Sequence, residues 1–380
     1  MPDTFTTTTS QNYFQRLGNS FVGVLVGAAM IVGACFLLFW NDGRAVEAER
    51  ALNAGARAVV SLEQPNPSTN NEGALIHVTG AAKATAPLSD PDTGITMPNV
   101  LMLNRSVEMF QWVEKSRTET REKLGGTQET TTVYTYEKQW SSSPVDSTQF
   151  AQPSGHENPS MPFRGTQVYA QDVTLGSFKL SEPILSKIDA RVPAIPEATP
   201  KGWDAVGNQF FKGKGTLDGP QIGDLKMSYQ VAPSPTTISI VGRQSGVQIE
   251  QWSNKGSNYR LLMVADGVVP ADAMFKQQEE NEQILTWILR AVGTLLNVIG
   301  FMLIMGPLKA IGNVIPFVAS FIGAGTGIIA FALGLPLSLL IIALAWLAFR
   351  PLIGGALIAI AIATMIWLGG KGKGTATAKA

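Results

Sequence analysis

Between Gln283 and Ala380 there is neither an aspartate nor a glutamate. Residues 284–368 are mostly Leu, Ile, Ala, Gly, Val and Phe, and the basic residues Arg290, Lys309, Arg350, Lys371, Lys373 and Lys379 lie between or near the ends of apolar runs. Crossing the hydrocarbon of a bilayer takes about 20 apolar residues in a helix. The stretch holds several such lengths, and a matching run occupies residues 21–40. A polar segment separates the two. The pattern predicts an integral membrane α-helical bundle with a large β-rich (α+β) extracytoplasmic domain inserted between spans 1 and 2.

The formal net charge of zero hides an asymmetry. Residues 44–282 carry 22 Lys+Arg against 27 Asp+Glu, whereas the rest carries 7 against Asp3 and Asp42 alone. An acidic soluble part with basic membrane flanks follows the positive-inside rule. No Lys/Arg stripe of the kind that grips a phosphate backbone occurs, so the partners expected are the lipid bilayer and other proteins, not nucleic acid. The single cysteine, Cys35, lies inside the first apolar run and excludes an internal disulfide.

In chain order, residues 1–19 read as a flexible cytosolic N-terminus with a threonine run, and 20–40 as a retained signal-anchor helix. Trp40 suits the interfacial aromatic belt, and Gly23 and Gly27 form a G-x-x-x-G that lets helix backbones approach. Residues 44–53 read as a short amphipathic helix ending near Gly55. The domain, 41–283, is a series of strand-like runs between Pro/Gly-rich breaks. Residues 130–140 alternate plainly, as a half-buried antiparallel strand does, and a break near 153–165 would divide two β subdomains. Residues 270–283 read as a helix running without a stop signal into span 2, 284–306.

The remaining spans depend on residues 311–349, where Pro316 and Pro336 interrupt the apolar run. Charge decides the count. With four spans in total, Arg16, Lys309 and the lysine tail share one side, as the positive-inside rule prefers. Residues 311–325 are then an interfacial or re-entrant piece, 327–349 is span 3, 352–368 is span 4 and 369–380 is a basic cytosolic tail. The membrane-interface anchors are Trp40, Arg44, Arg290, Arg350 and Trp367, with Arg290 snorkelling to the headgroups and lacking an acidic partner.

Chemistry is less visible. His77 and His156 are the only histidines, far apart, and no H-E-x-x-H, G-x-S-x-G or paired-cysteine pattern occurs. His77 reads as a packed strand residue and His156 as a turn residue. The Gly/Lys cluster at 212–215 lacks P-loop spacing and reads as a hairpin turn. Asp90-Pro91-Asp92 is a turn, and Phe110 and Trp112 share one sheet face. No catalytic residue, metal ligand or cofactor is assigned.

Several pieces, in order along nearly the whole chain, nevertheless resemble the LUMA (transmembrane protein 43) family. They are RLGNSFVGVLVG at 16–27, NDGRAVEAERALNAGARAVVSL at 41–62, NEGALIHVTG at 71–80, LSDPDTGI at 88–95, VEMFQWVE at 107–114, GHENPS at 155–160, IGDLKMSY at 222–229 and FRPL at 349–352. The resemblance implies four spans, cytosolic ends, a large lumenal domain and a role as an oligomerising organiser of membrane protein complexes. No catalytic residue comes with it. The Ala/Gly-rich spans and Gly/Lys tail depart from the animal pattern and fit a bacterial relative, with the domain in the periplasm. The reading is a non-enzymatic multi-pass scaffold, a homo-oligomer that organises membrane proteins or lipids. The alternatives are an envelope or lipid-acting enzyme with a polar cluster around residues 41–44 and 279–282, and a channel or transporter.

Overall fold

A computed structural model describes residues 3–123, 127–189, 191–307 and 316–351. They form two compact units. The β unit comprises Met1–Thr8, Ala51–Glu119 and Thr130–Gln277. The helical unit comprises Thr9–Arg50, Thr120–Glu129 and Gln278–Ala380.

The strands in chain order are β1 (Asp3–Gln11), β2 (Val60–Ser61), β3 (Leu75–Ala84), β4 (Leu88–Ser89), β5 (Thr96–Met97) and β6 (Val100–Glu122). Then come β7 (Gln128–Ser141), β8 (Thr166–Tyr169), β9 (Val173–Leu175), β10 (Phe178–Leu180), β11 (Val192–Ala194) and β12 (Asp204–Val206). The last are β13 (Gln209–Lys212), β14 (Leu225–Pro233), β15 (Thr236–Ser245), β16 (Gln248–Glu250) and β17 (Met263–Asp266). One sheet runs β1-β7-β6-β14-β13-β12, with β8 on β6 and β11 on β14. A second runs β17-β15-β16-β10-β9-β3-β2, with β15 also paired to β3, and β4 and β5 form a separate two-stranded sheet.

Alternation builds the core between these sheets. Leu225, Met227, Tyr229 and Val231 of β14 point inward with Leu101, Leu103, Val107 and Met109 of β6, as the period-2 geometry of a strand requires. Ile76, Val78, Ile238, Ile240 and Phe178 of the second sheet belong to the same cluster. The break near 153–165 therefore does not divide two subdomains. Residues before and after it pair along β14 and the Val100–Met109 part of β6 and share one core.

Four helices are described: α1 (Tyr13–Ala58), the short α2 (Glu182–Leu185), α3 (Ala271–Ile304) and α4 (Pro316–Phe349). Asn12 caps α1. Its side chain accepts from the Gln15 N–H at 2.8 Å, while the Gln15 side chain accepts from the Asn12 N–H at 3.1 Å, the reciprocal pair of a capping box. α1 then continues past Trp40, so the separate helix expected at 44–53 is its C-terminal part. Gly43 lies within it, and a Cβ there would meet the Phe349 ring at 2.7 Å. α3 runs from the end of the β unit into span 2 without interruption, as its sequence predicts.

Two corrections follow. Residues 3–11 are not a flexible tail but strand β1, at the edge of the first sheet. The expected interfacial piece at 311–325 is helical from Pro316 onward and continuous with span 3, because Pro336 sits inside α4 without ending it; residues 311–315 lie outside the described residues. Span 4 at 352–368, the tail and Trp367 also lie outside them. Among the described residues three helices are long and apolar enough to cross a membrane.

Candidate functional site

One face of α3 carries Glu282, Thr286, Arg290, Gly293, Asn297 and Gly300, spaced by three and four residues. That spacing places them in one stripe along a helix. The stripe faces α1, and the polar half of it forms a largely buried charged cluster.

Its rungs are specific. Arg44 pairs with Glu282 and donates to the Thr286 hydroxyl at 3.3 Å. The Asn41 amide donates to the Thr286 carbonyl at 3.1 Å. Arg290 donates through Nε to Asp42 Oδ1 at 3.0 Å and pairs with the same oxygen through Nη2 at 2.5 Å. The residue numbers rise on α1 as they fall on α3, so the helices are antiparallel here. Asn41 is wholly buried and Asp42 is 2% exposed. Arg290 also lies 4.9 Å from the Trp287 ring centroid and 5.9 Å from that of Trp346, cation–π distances that hold a guanidinium in an apolar setting. Three buried atoms of the cluster, Asn41 Oδ1, Asp42 Oδ2 and Arg44 Nε, have no protein partner.

A second ion pair closes the other side. Arg350 pairs with Glu49, and Arg50 donates to the Phe349 carbonyl at 2.7 Å. Both arginines therefore have an acidic partner, where the sequence showed none. Their partners, Asp42 and Glu49, lie 248 and 301 residues away in sequence, so local patterning gave no sign of them. Arg44 is likewise paired, and Trp40 is 49% exposed.

Farther along the stripe the chemistry changes from charge to close packing. A Cβ on Gly27 would lie 2.5 Å from the Gly300 carbonyl oxygen, and one on Gly293 would lie 2.6 Å from Leu38 Cδ2. Gly23 is looser, 3.7 Å from the Leu303 oxygen. The G-x-x-x-G of span 1 thus has its close approach within the chain, at Gly27 on α3. Between the glycines, Asn297 donates to Ser338 Oγ of α4 at 2.9 Å, and Ser338 Oγ donates to the Gly334 carbonyl at 2.8 Å. Asn297 and Ser338 are both fully buried.

The β unit holds a second polar network. Arg105, 2% exposed, donates to both oxygens of Asp90, to Asp92 and to the Arg164 carbonyl. Tyr229 and Thr93 also donate to Asp90 Oδ2. Burial opposes the Asp90 carboxylate, but the hydrogen bonds from Thr93 and Tyr229 and the charge of Arg105 outweigh it and lower its pKa. Burial, with Asp90 beside it, raises the Tyr229 phenol. The Asp90-Pro91-Asp92 turn is therefore one half of a buried structural ion pair.

The other residues singled out resolve simply. His77 lies between Ser61 Oγ at 3.3 Å and the Val269 carbonyl at 2.9 Å. His156 Nδ1 lies 2.9 Å from the Gln152 carbonyl and Nε2 2.9 Å from Asp3 Oδ2, and the ring stacks on Tyr136 at 3.8 Å. Phe110 and Trp112 do share a sheet face, with Trp140 and His156 as their ring neighbours. The 212–215 loop wraps its amides around Asp224, whose carboxylate accepts from the N–H groups of Lys214, Gly215 and Gln221. The cradle a phosphate would use is filled by the chain's own carboxylate. Among the described residues no group of three His, Cys, Asp or Glu is placed to hold a metal.

Comparison with known proteins agrees with the resemblance. No solved structure matches the chain. Transmembrane protein 43 of Homo sapiens is 30% identical over 361 residues, covering 91% of this chain and 89% of that protein. The Mus musculus protein of the same name is 30% identical over 353 residues, covering 90% and 88%. The Transmembrane protein 43 homolog of Drosophila melanogaster is 26% identical over 356 residues, covering 90% and 93%. The family described as Transmembrane protein 43 matches residues 109–351, which include the whole of the α3 stripe. With its apolar helices, that match makes the chain an integral membrane protein of the Transmembrane protein 43 family.

Proposed function

We propose that the chain is a non-enzymatic membrane scaffold, whose helical unit anchors it and whose β unit presents a surface for assembly with further copies and other membrane proteins. The observation that carries this reading is the ribbon formed by β6 and β7. β6 is 23 residues long, yet its core residues end at Met109. From Lys115 to Arg121 its side chains are exposed, and pairs link the two sides of the ribbon: Lys115 with Glu137, Thr118 with Thr132, Lys123 with Glu129. An ordered stretch that lies beyond the core residues has its use in what it presents. Under this reading the β unit lies on the outward side of the membrane, periplasmic in a bacterium or lumenal otherwise, with the C-terminal tail in the cytosol.

The enzyme reading draws on the polar cluster at Asn41, Asp42, Arg44 and Glu282. Those carboxylates converge, but each is already neutralised by an arginine at hydrogen-bonding distance. That arrangement suits a lock between helices better than a general base. The scaffold reading is tested by replacing residues 116–132 with an Asn-Gly turn, a hairpin-forming dipeptide, and purifying the chain in lipid nanodiscs. The expected result is an unchanged β-unit melting transition with loss of higher-order assemblies and of co-purifying membrane proteins. Assemblies of full size from the shortened chain would overturn the reading.

A further inference from the structure

We infer that a hollow in the β unit is a binding site for a small phosphate monoester, with Arg164 as the residue that holds its charge. The site does not depend on the scaffold reading, and all of its residues lie in the β unit. It arises from the way β6 is covered. β14 takes one edge of β6 from Val100 to Met109, so β7 and β8 share the other edge. β8 covers Met102 to Arg105 of that edge. The hollow lies where the two neighbours meet. Its walls are residues 104–107 of β6, 142–144 just after β7 and 164–167 leading into β8. Its volume of about 560 Å³ falls within the roughly 300–1,000 Å³ of small-molecule sites.

The wall is built from a spent cation and a free one. Arg105 is spent, because its guanidinium donates to Asp90, to Asp92 and to the Arg164 carbonyl. The last contact, 3.0 Å from Nη2 and 3.3 Å from Nε, fixes the Arg164 backbone from a side chain that is itself buried. Gly165 brings the segment close to β6, since a Cβ there would lie 3.0 Å from the Arg105 carbonyl oxygen. Arg164 is exposed, and among the described residues its guanidinium has no hydrogen-bond, carboxylate or ring partner. The side chains of Asn104, Ser106, Ser142 and Thr166 have none either. One cation and four neutral hydrogen-bonding side chains therefore line a hollow whose wall holds no Asp or Glu. Asp92 lines only the neighbouring hollow of about 450 Å³, and Arg105 takes up its charge. A guanidinium offers five donors in a planar fork, and each hydroxyl adds one. A carboxylate has two oxygens to accept them. A phosphate monoester has three terminal oxygens and a charge of about −1.5 to −2 at neutral pH, and it uses the set more fully.

The test uses the full-length chain in phosphatidylcholine nanodiscs, titrated by calorimetry against empty nanodiscs as the blank. The probes are glycerol 3-phosphate, a soluble ester, and dihexanoyl phosphatidic acid, the same group on a lipid. At least one should bind saturably at up to millimolar concentration, and acetate should bind at least about tenfold more weakly. Arg164→Gln should weaken the phosphate probe by at least about tenfold, the scale of one lost charge-assisted hydrogen bond. Its melting temperature should stay unchanged, since the guanidinium has no partner in the fold. Ser106→Ala with Ser142→Ala, which leaves Arg164 in place, should weaken the probe severalfold. Arg243→Gln, at an arginine on the other sheet, should bind as the wild type does. Tighter binding of glycerol 3-phosphate assigns the site to soluble esters, and tighter binding of the phosphatidic acid assigns it to a lipid headgroup; either supports the site. Absence of saturable binding by both probes, wild-type affinity in Arg164→Gln, an equal loss in Arg243→Gln, or acetate bound as tightly as the phosphate probes would overturn it.

Discussion

Removing one partner of the Asp42–Arg290 pair should be the most damaging single change in the helical unit. Asp42 is 2% exposed and the Arg290 side chain 14%, so neither has water to fall back on. In Asp42→Leu the guanidinium keeps its two tryptophan neighbours but loses its carboxylate. Stripping one partner from a buried pair costs about 3–5 kcal/mol. For a unit of this size each kcal/mol lowers the melting temperature by roughly 2–4 °C, so the expected drop is about 6–20 °C. Arg290→Met should be damaging in the same range, since it leaves Asp42 buried and uncompensated. Asp42→Leu with Arg290→Met should recover most of the loss, because a well-packed apolar pair often replaces a buried ion pair with little penalty. Tryptophan fluorescence follows the transition, with Trp287 and Trp346 beside the pair, in detergent or nanodiscs. Two single variants that melt with the wild type, or a double variant no better than the sum of the singles, would refute the argument that this pair holds α1 to α3.

Acid unfolding reads the Asp90–Arg105 network. The folded carboxylate has a lowered pKa, so its contribution is present above the unfolded value of about 3.9 and is lost as pH falls through the folded value. Asp90→Asn should lower the urea midpoint at neutral pH and flatten the midpoint's decline below about pH 4; a parallel shift at every pH would remove the carboxylate from that role. The glycine contacts make a separate prediction. Gly300→Leu drives a side chain into Ile31, 2.6 Å from where its Cβ must sit, and should destabilise by about 1–3 kcal/mol or more. Gly33→Leu, with nothing within 4 Å of its Cβ, should leave the melting temperature unchanged, and equal effects at both glycines would argue against close packing at the stripe.

What could be read in the sequence followed from periodicity. The acid-free apolar runs marked the spans, and the alternation at 130–140 marked β7. The residues that proved to matter were present but uninterpretable, because their partners are remote. Arg290 looked like a snorkelling charge until the fold brought Asp42 beside it. The spacing Glu282, Thr286, Arg290, Gly293, Asn297, Gly300 was the one available signal, a polar and small-residue stripe inside an otherwise apolar helix. It escapes notice because hydropathy averages all faces of a helix together. β1 was hidden for a different reason. A threonine-rich segment is polar enough to read as a tail, yet threonine is a good strand former once an edge is at hand, and that edge comes from a strand more than a hundred residues later. Pro336 and Gly43 misled in the other direction. Both residue types can break a helix, and both lie inside continuous helices; at Gly43 the Phe349 ring occupies the space a side chain would need.

The stripe on α3 also explains why this bundle uses charge at all. In hydrocarbon, apolar side chains gain nothing by leaving lipid for one another, so association must come from close backbone packing and interhelical hydrogen bonds. The stripe supplies both in turn. Gly300 and Gly293 admit Gly27, Ile31 and Leu38 of α1, and Asn297 ties in α4 through Ser338. Toward Glu282 the ion pairs take over, at the end of the span where water begins and charges are less costly to hold. Each rung fixes the register of α1 against α3, because a shift by one residue would separate Asp42 from Arg290 and Arg44 from Glu282 together. Under the proposed scaffold reading such fixed registers would matter, since a presented surface is useful only in one geometry. The same logic makes the Asp42–Arg290 pair more informative than its energy alone. If the apolar double variant melts normally but assembles into mixed species in nanodiscs, the pair's main contribution is register rather than stability.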